Sequence, residues 1–214
     1  MGRIDYRAGD RVLLRESRAG ELTERFDRAL VYAHGVHRDQ RRKGTAIPYV
    51  SHLLAVASLV LEDGGDEEEA IAALLHDAVE DGGGAARLEE IRSAFGARVA
   101  AIVEACSDAD THPKPPWRAR KEHHLIRLRD ADSSVLRVAA ADKLHNLRCI
   151  LSDWNSIGDE LWKRFNAARE DQLWYYSELL AIFEARRPDG FLARELRSCL
   201  DSLRRIVEES GEPR

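Results

Sequence analysis

The feature that most constrains this chain is an apolar helical segment that runs directly into a cluster of ionisable residues. Within DEEEAIAALLHDAVEDGGG, residues 66–84, an apolar run precedes His76, Asp77, Glu80 and Asp81. Residues three and four apart share one face of a helix, so the imidazole and the carboxylates are expected to lie together. Three close carboxylates repel one another, and burying a charge without compensation is costly. A divalent cation would remove this conflict, whereas the alternative is an acidic helix end that frays into solvent.

Apolar residues recur at helical spacing along nearly the whole chain, and the alternation typical of strands is absent. No internal repeat or low-complexity linker interrupts this pattern. We therefore predict an all-α protein with a single domain. Its predicted parts are an N-terminal segment at residues 1–20, a core at residues 21–155 and a C-terminal helical extension at residues 156–214.

Capping residues predict where two of the helices begin. Asp66 followed by Glu69 is similar to a capping box, which predicts a helix that continues to Asp81 and ends at the glycines. A later helix, SSVLRVAAADKLHNLRCILSDW, is predicted to be capped by Ser133 or Ser134.

Charge and cysteine content disfavour several classes of protein. The 214 residues carry a formal net charge of −5, which argues against a nucleic-acid partner. No run approaches the roughly 18 apolar residues of a membrane span, and the opening MGRIDYRAGDRVLLRES lacks a secretory signal. Three widely spaced cysteines form neither a disulfide framework nor a CxxC metal site. We expect a cytoplasmic protein without a membrane partner, in which a polyanionic substrate would need a local basic patch.

Two further apolar helices are interrupted by potential metal ligands. His52 lies within PYVSHLLAVA, and Asp142 follows the alanines of AAADKLHNLRCIL. A lone histidine on an apolar face is more often a core residue, but three interruptions on three helices favour convergence on one ion. The candidate ligands are His52, His76, Asp77 and Asp142, a donor set suited to zinc, manganese or iron.

Four segments carry a resemblance to a known family. RRKGTAIPYVSHLLAVA, AALLHDAVEDG, FGARVAAIV and ADKLHNLR follow one another in this order between residues 22 and 151. Their histidines and aspartates match the H…HD…D signature of HD-domain metal phosphohydrolases. The whole series resembles the hydrolase domain of RelA/SpoT homologues and of small stand-alone alarmone hydrolases. The resemblance implies an HD-domain helical bundle with extra C-terminal helices.

The resemblance also implies an activity and a cofactor. The implied reaction is hydrolysis of guanosine 3′,5′-bis(diphosphate), ppGpp, or its pentaphosphate relative at the 3′ position, which releases pyrophosphate. The implied cofactor is Mn²⁺, with iron, zinc and cobalt as alternatives, held by the four candidate ligands. Glu80 and Asp81 match the pair that orients and deprotonates the attacking water, with no division of roles between them.

The resemblance further implies a nucleotide pocket beside the metal. Arg42 and Lys43 match the basic pair that meets the nucleotide, and Asn146 and Arg148 match the segment that lines the nucleoside pocket. Each has an alternative. The basic pair fits a solvated charge run, and Asn146 fits a support for Asp142, one helical turn away.

Some positions depart from the family pattern and leave other functions open. Leu53 stands where proline often follows the metal histidine, and Cys149 stands where threonine is frequent. These departures keep open an HD-domain phosphohydrolase that acts on another nucleotide or phosphoester, and a non-catalytic module that binds an alarmone. His123 and His124 lie on a charged helix and are predicted at the surface. Tyr175 and Tyr176 are predicted to pack in the core or among the C-terminal helices, and His145 falls outside the ligand set.

Overall fold

The computed structural model describes residues 21–81, 83–107, 115–187 and 190–209, which are mainly helical. The helices are α1 (Glu24–Val36), α2 (Val50–Glu62), α3 (Glu67–Leu75), α4 (Ala78–Asp81), α5 (Gly84–Phe95), α6 (Ala97–Cys106), α7 (Trp117–Asp130), α8 (Ser133–Ile157), a 3-10 helix (Gly158–Arg164), α9 (Arg169–Arg186) and α10 (Phe191–Glu209). β-structure in the described ranges is limited to one isolated bridge between Arg41 and Pro48. The all-α prediction is confirmed.

The predicted N-terminal segment, residues 1–20, lies outside the described residues. Within the described part of the chain, no helix combines the length and the apolar character needed to cross a membrane.

Helix α3 lies at the centre of the fold. Residues 70–75 are completely buried, and α3 packs against α1, α2, α6 and α8. Burial on all sides is expected, because AIAALL is apolar on every face of the helix. His76 directly follows this buried run and therefore lies in the interior of the protein.

The capping box predicted for α3 is confirmed. Asp66 Oδ1 accepts the backbone N–H of Glu69 at 2.9 Å, and Glu69 Oε2 accepts the backbone N–H of Asp66 at 2.9 Å. Arg137 of α8 donates to the same Glu69 carboxylate at 2.5 and 2.6 Å. These bonds fix the start of α3 and attach it to α8.

The prediction that this helix continues to Asp81 is wrong. Helix α3 ends at Leu75, His76 and Asp77 form a turn, and α4 begins at Ala78. At the break, His76 Nδ1 lies 2.7 Å from the Ala73 carbonyl oxygen, which is the acceptor for the Asp77 N–H in a continuous helix. The imidazole therefore competes with the backbone where the helix stops.

Helix α8 places Asp142 near its middle. Its N-cap is Asp132, whose Oδ1 accepts the N–H groups of Ser134 and Val135 at 2.8 and 2.9 Å. The prediction that Ser133 or Ser134 caps this helix is wrong, because the carboxylate of Asp132 accepts two N–H groups of the first turn that have no partner within the helix.

The C-terminal helices pack directly on α8. Gly158, at a φ of 57°, ends α8 in the left-handed region that favours glycine. The 3-10 helix and α10 contact α8, and α9 contacts α7, α8 and α10. The predicted boundary at residue 155 falls in the last turn of α8, and the division into core and extension stays a prediction.

Removing the α3 cap should destabilise the fold measurably. Asp66→Ala leaves N–H groups of the first turn without their acceptor, and we expect the free energy of unfolding to fall by about 1 kcal/mol. Asp66→Asn keeps an oxygen at the same place and loses only the exposed pair with Arg98, so it should stay within about 0.5 kcal/mol of wild type. Urea denaturation measures both, and equal losses would contradict a capping role.

Candidate metal centre and adjoining cavity

Three helical segments bring the four predicted metal ligands together. His52 lies on α2, His76 and Asp77 form the turn after α3, and Asp142 lies on α8. His52 Nε2 lies 3.2 Å from Asp142 Oδ1 and 3.5 Å from Asp77 Oδ2. His76 Nε2 lies 3.0 Å from Asp77 Oδ2 and 3.7 Å from Asp142 Oδ1. Asp77 Oδ2 and Asp142 Oδ1 therefore each lie beside both imidazole nitrogens.

The turn after α3 is what allows two adjacent residues to contribute to this cluster. Consecutive side chains of a continuous helix do not face each other. Because the helix stops at Leu75, His76 and Asp77 can direct their donor atoms to the same place, 3.0 Å apart.

Three of the four candidate ligands are buried, the side chain of Asp77 is 22% exposed, and the charges of the four interact strongly. His52 is 1% exposed, His76 4% and Asp142 7%. Burial alone would raise the pKa of Asp142, but Lys143 and the two imidazoles hold that pKa well below its usual range. Burial would likewise raise the pKa of Asp77, which His76 and His52 keep low. Burial would lower the pKa of His76, and Asp77 and Asp142 raise it well above its ordinary value. The two carboxylates thus require positive charge between them.

The orientation of His76 fits a metal ligand. Its Nδ1 lies 2.7 Å from the Ala73 carbonyl, and since a carbonyl only accepts, Nδ1 carries the proton. Its Nε2 is buried and has no hydrogen-bond partner among the described residues. A buried imidazole nitrogen that faces two carboxylates is a place where a metal ion would replace the proton that the raised pKa of His76 otherwise keeps there.

The separations fit a divalent cation as well. Ligand atoms held about 2.1 Å from one ion lie roughly 3.0–3.4 Å apart at neighbouring positions. Two of the four contacts, at 3.0 and 3.2 Å, lie in this range, and the other two, at 3.5 and 3.7 Å, lie slightly above it. Donor atoms of His52, His76 and Asp142 all lie within 4.8 Å of one another. The described residues therefore fit a divalent metal.

Three residues outside the predicted set contact the ligands directly. Tyr49 donates its hydroxyl to Asp77 Oδ2 at 2.6 Å, and Lys143 donates to Asp142 Oδ2 at 2.6 Å. His145 Nδ1 lies 2.8 Å from His52 Nδ1. Burial, followed by the nearby His52 and Arg42, lowers the pKa of His145 to about 4. His145 is therefore neutral near pH 7.

The sequence held a signal for two of these three residues. Tyr49 precedes His52 by three positions, and Lys143 and His145 follow Asp142 by one and three. A search for polar residues one turn from each candidate ligand would have found Tyr49 and His145. Lys143 directly follows Asp142 and points from a different face of the helix, so only its long side chain allows it to reach the Asp142 carboxylate.

The predicted catalytic pair lies on the short helix α4, which starts directly after Asp77. Glu80 is exposed, and Asp81 ends the helix. The side chain of Asp81 is outside the described part of the structure. The catalytic assignment of Glu80 and Asp81 stays a prediction.

A cavity of about 540 Å³ adjoins the cluster. Tyr49, Lys143, His145 and Asn146 line it, and each of them also contacts a candidate ligand. The cavity extends away from the cluster towards α7, α9 and the 3-10 helix. The lining there includes Trp117, Lys121, Asp153, Leu161, Arg164, Phe165, Gln172, Tyr175 and Tyr176.

Three of the four predicted substrate residues line this cavity. Arg42, Lys43 and Asn146 do so, and Arg42 Nη2 donates to Asn146 Oδ1 at 2.7 Å. Arg148 is not among the lining residues, and it pairs with Glu195 of α10 at 2.7 Å. This placement gives no support to the prediction for Arg148, because its side chain points along α8 to the C-terminal helix.

The cavity supplies the basic patch that an acidic chain needs for a polyanion. Its cationic lining residues are Arg42, Lys43, Lys121, Lys143 and Arg164. Asp153 is the one carboxylate among the described lining residues, and it pairs with Arg164 at 3.0 Å.

Two packing predictions need revision. Tyr175 and Tyr176 are buried, as predicted, but they also line the cavity. His124, predicted at the surface, is buried, and its Nδ1 lies 2.9 Å from the Tyr175 hydroxyl. The charged sequence around His124 concealed that one face of α7 packs on α9.

Comparisons with known proteins agree with this arrangement. The HD domain family model matches residues 29–172. The chain is 36% identical over 149 residues to human guanosine-3′,5′-bis(diphosphate) 3′-pyrophosphohydrolase MESH1, covering 68% of this chain and 76% of that protein. It is 36% identical over 127 residues to the guanosine-3′,5′-bis(diphosphate) 3′-pyrophosphohydrolase of Aquifex aeolicus, covering 59% of this chain. That match spans 18% of the Aquifex protein, less than a fifth of its length.

A solved structure shares the fold over most of both chains. It is described as a metazoan orthologue of SpoT that hydrolyses ppGpp, and it superposes with a TM-score of 0.67 at 25% sequence identity. The superposition covers 89% of this chain and 98% of that one. Because the family model matches more than half of the sequence, this protein belongs to the HD domain family.

Proposed function

We propose that this protein is a metal-dependent phosphohydrolase that cleaves ppGpp at the 3′ position and releases pyrophosphate. The observation that carries the proposal is the cation-lined cavity that adjoins the histidine–aspartate cluster. The names of the relatives support the substrate, since human MESH1 and the Aquifex protein are both named for this reaction. The alarmone pentaphosphate, pppGpp, fits the same proposal.

The proposed ligands are His52, His76, Asp77 and Asp142, and the proposed metal is Mn²⁺. Two imidazoles with two carboxylates form a mixed donor set, for which iron, zinc and cobalt are the alternatives. A bound ion supplies a Lewis acid that lowers the pKa of coordinated water and polarises a phosphoryl oxygen. His145 and Tyr49 orient His52 and Asp77 through the contacts of 2.8 and 2.6 Å.

The chain's own residues then account for proton transfer and binding. Glu80 and Asp81, at the end of α4, orient the attacking water and accept its proton. The water oxygen forms a bond to the phosphorus that is attached to the 3′ oxygen of the ribose. The bond between that phosphorus and the 3′ oxygen breaks, pyrophosphate leaves, and the 3′ oxygen takes up a proton. Arg42, Lys43, Lys121 and Arg164 hold phosphate groups through charge-assisted hydrogen bonds. The cavity of about 540 Å³ lies in the range of nucleotide-sized sites.

The cysteines support a reducing location. Cys106, Cys149 and Cys199 are all free in the structure. We propose that the protein acts in the cytoplasm on a small-molecule nucleotide, where such thiols persist.

Metal binding should be lost when one carboxylate is neutralised. Asp77→Asn keeps an acceptor for Tyr49 but removes a negative charge from the cluster. At a hundredfold excess over its Kd, Mn²⁺ should stabilise the wild type by about 2.7 kcal/mol, and this gain should largely vanish in the variant. Thermal unfolding with Mn²⁺ and with chelator measures the difference. Asp130→Asn, at an exposed site on α7, is the control, and an unchanged Mn²⁺ response in Asp77→Asn would remove Asp77 from the ligand set.

Hydrolysis should depend on Glu80. We expect the Mn²⁺-loaded protein to release pyrophosphate from ppGpp, and Glu80→Gln to lower kcat by about a hundredfold or more while metal content stays constant. The control is Glu89→Gln, which makes the same chemical change at an exposed residue of α5 and should leave kcat unchanged. Pyrophosphate release measured together with metal content separates loss of the base from loss of the ion.

The same assay decides between ppGpp and the alternative substrates. Cys149 lines the cavity at a position where the family resemblance expects threonine, which favours testing other nucleotides. A panel of 5′-monophosphates and dinucleotide phosphates, compared with ppGpp, is the appropriate set. Turnover of another nucleotide with ppGpp left intact would retain the metal chemistry and overturn the substrate. No turnover of any member by metal-loaded protein would favour a binding module.

The C-terminal part of the chain should contribute to substrate binding through Arg164. This guanidinium packs against Gly44, where an added Cβ would lie 3.1 Å from Arg164 Cδ. Arg164→Gln removes a charged contact to phosphate, and we expect KM to rise about tenfold or more with little change in kcat. Lys163→Gln, an exposed neighbour paired with Glu160, should leave KM unchanged. Steady-state kinetics on ppGpp provide the test, and equal KM values for the two variants would exclude a phosphate contact by Arg164.

A further inference from the structure

We propose that Arg42 is a positioning residue for the metal centre, and that the loop at residues 38–49 and the bound metal stabilise one another. The family resemblance places Arg42 only at the nucleotide. The structure gives this residue two routes to the metal ligands, through Asn146 and through Tyr49. The inference rests on the metal-binding part of the proposed function and is independent of the substrate.

The first route runs from Arg42 through Asn146 to Asp142. Arg42 Nη2 donates to Asn146 Oδ1 at 2.7 Å, and Asn146 Nδ2 donates to Asp142 Oδ1 at 2.5 Å. That Asp142 oxygen is the one that lies 3.2 Å from His52 Nε2. Because a carboxylate only accepts, the amide must turn its NH₂ group to Asp142 and its oxygen to a donor. Arg42 is the donor that completes this arrangement.

The second route runs through Tyr49 to Asp77. The Tyr49 hydroxyl donates to Asp77 Oδ2 at 2.6 Å, and this oxygen is the one that faces both imidazoles. The Arg42 guanidinium lies over the Tyr49 ring, 5.6 Å from its centroid. His37, which is buried, stacks on the same ring with centroids 5.0 Å apart. The tyrosine is therefore held between the loop and the ligand.

Backbone bonds close the loop so that both routes act together. The N–H of Arg42 donates to the Ile47 carbonyl at 2.9 Å, and the N–H of Tyr49 donates to the Gln40 carbonyl at 3.0 Å. These bonds bring Arg42 and Tyr49 side by side, although seven positions separate them. One closed loop thus reaches Asp142 through Asn146 and contacts Asp77 directly through Tyr49.

If Arg42 positions the metal ligands, its removal changes the metal affinity in the opposite direction to the change expected from its charge alone. A cation near a metal ion repels it, so removing the charge of Arg42 should strengthen metal binding if charge alone matters. If Arg42 instead holds Asn146 and Tyr49 in place, its removal should weaken metal binding. Any coupling must be reciprocal, so the metal should also stabilise the loop.

Calorimetric titration of Mn²⁺ into metal-free protein tests the first half of the proposal. We expect Arg42→Gln to raise the Kd about three- to tenfold, and Tyr49→Phe and Asn146→Ala to raise it about tenfold or more. The matched control is Lys43→Gln, which removes a cation from the same loop and the same cavity and should leave the Kd unchanged or slightly lower. Thermal unfolding in chelator confirms that each variant is folded. An Arg42→Gln Kd equal to or below that of Lys43→Gln would overturn the proposal.

Hydrogen exchange tests the second half. Mn²⁺ should slow exchange of the Arg42 and Tyr49 amides in the wild type, and it should do so less in Arg42→Gln. Loop amides that exchange equally fast with and without Mn²⁺ would exclude the coupling. Neither measurement involves hydrolysis, so failure of the loop proposal is distinct from failure to cleave ppGpp. A wild type that binds no divalent cation would overturn the loop proposal and the metal part of the proposed function together.

Discussion

The candidate site depends on the electrostatic conflict created where the carboxylates of Asp77 and Asp142 lie beside two buried imidazoles. Asp142 is 7% exposed and lies on a helix whose neighbouring turns are buried. Buried carboxylates that face one another are unfavourable unless positive charge lies between them. Lys143, the two imidazoles and a divalent cation are the available sources of that charge. The surrounding structure serves to hold these groups at separations of 3.0–3.7 Å.

Local sequence determines where helix α3 begins, and tertiary packing determines where it ends at His76. The apolar run of α3 and its capping box specify where that helix starts and which way it points. They do not specify where it ends, because alanine, valine and glutamate after Asp77 are compatible with a continued helix. The bond from His76 to the Ala73 carbonyl at 2.7 Å and the position of Asp77 opposite His52 accompany the stop. The contacts of His76 and Asp77 in the site thus explain why the helix stops there. Functional sites are where predictions from local sequence alone are expected to fail.

Much of the site could be predicted from the sequence, because each candidate ligand interrupts an apolar helix. His52, His76 and Asp142 stand out for this reason, and the structure places them within reach of one another. Contacts made by side chains distant in sequence had no such signal. Arg164 reaches the cavity from the 3-10 helix, and His124 is buried by α9, although both lie in segments that look solvent-exposed. Periodicity identifies the face of a helix, but only the packed structure identifies what covers it.

Charge balance links the metal centre to the nature of the substrate. Asp77 and Asp142 contribute two negative charges, Lys143 offsets one of them, and the raised pKa of His76 lets its imidazole offset the other when no metal is bound. This end of the cavity then has no net positive charge with which to attract phosphate. A divalent cation makes it positive, and its field then agrees with the arginines and lysines that line the remaining cavity. On a chain with a net charge of −5, these cations confine attraction for a polyanion to one place. In the proposed function, metal occupancy therefore affects where the substrate is held as well as how its bond is broken, and Arg42 is the residue that we propose for both roles.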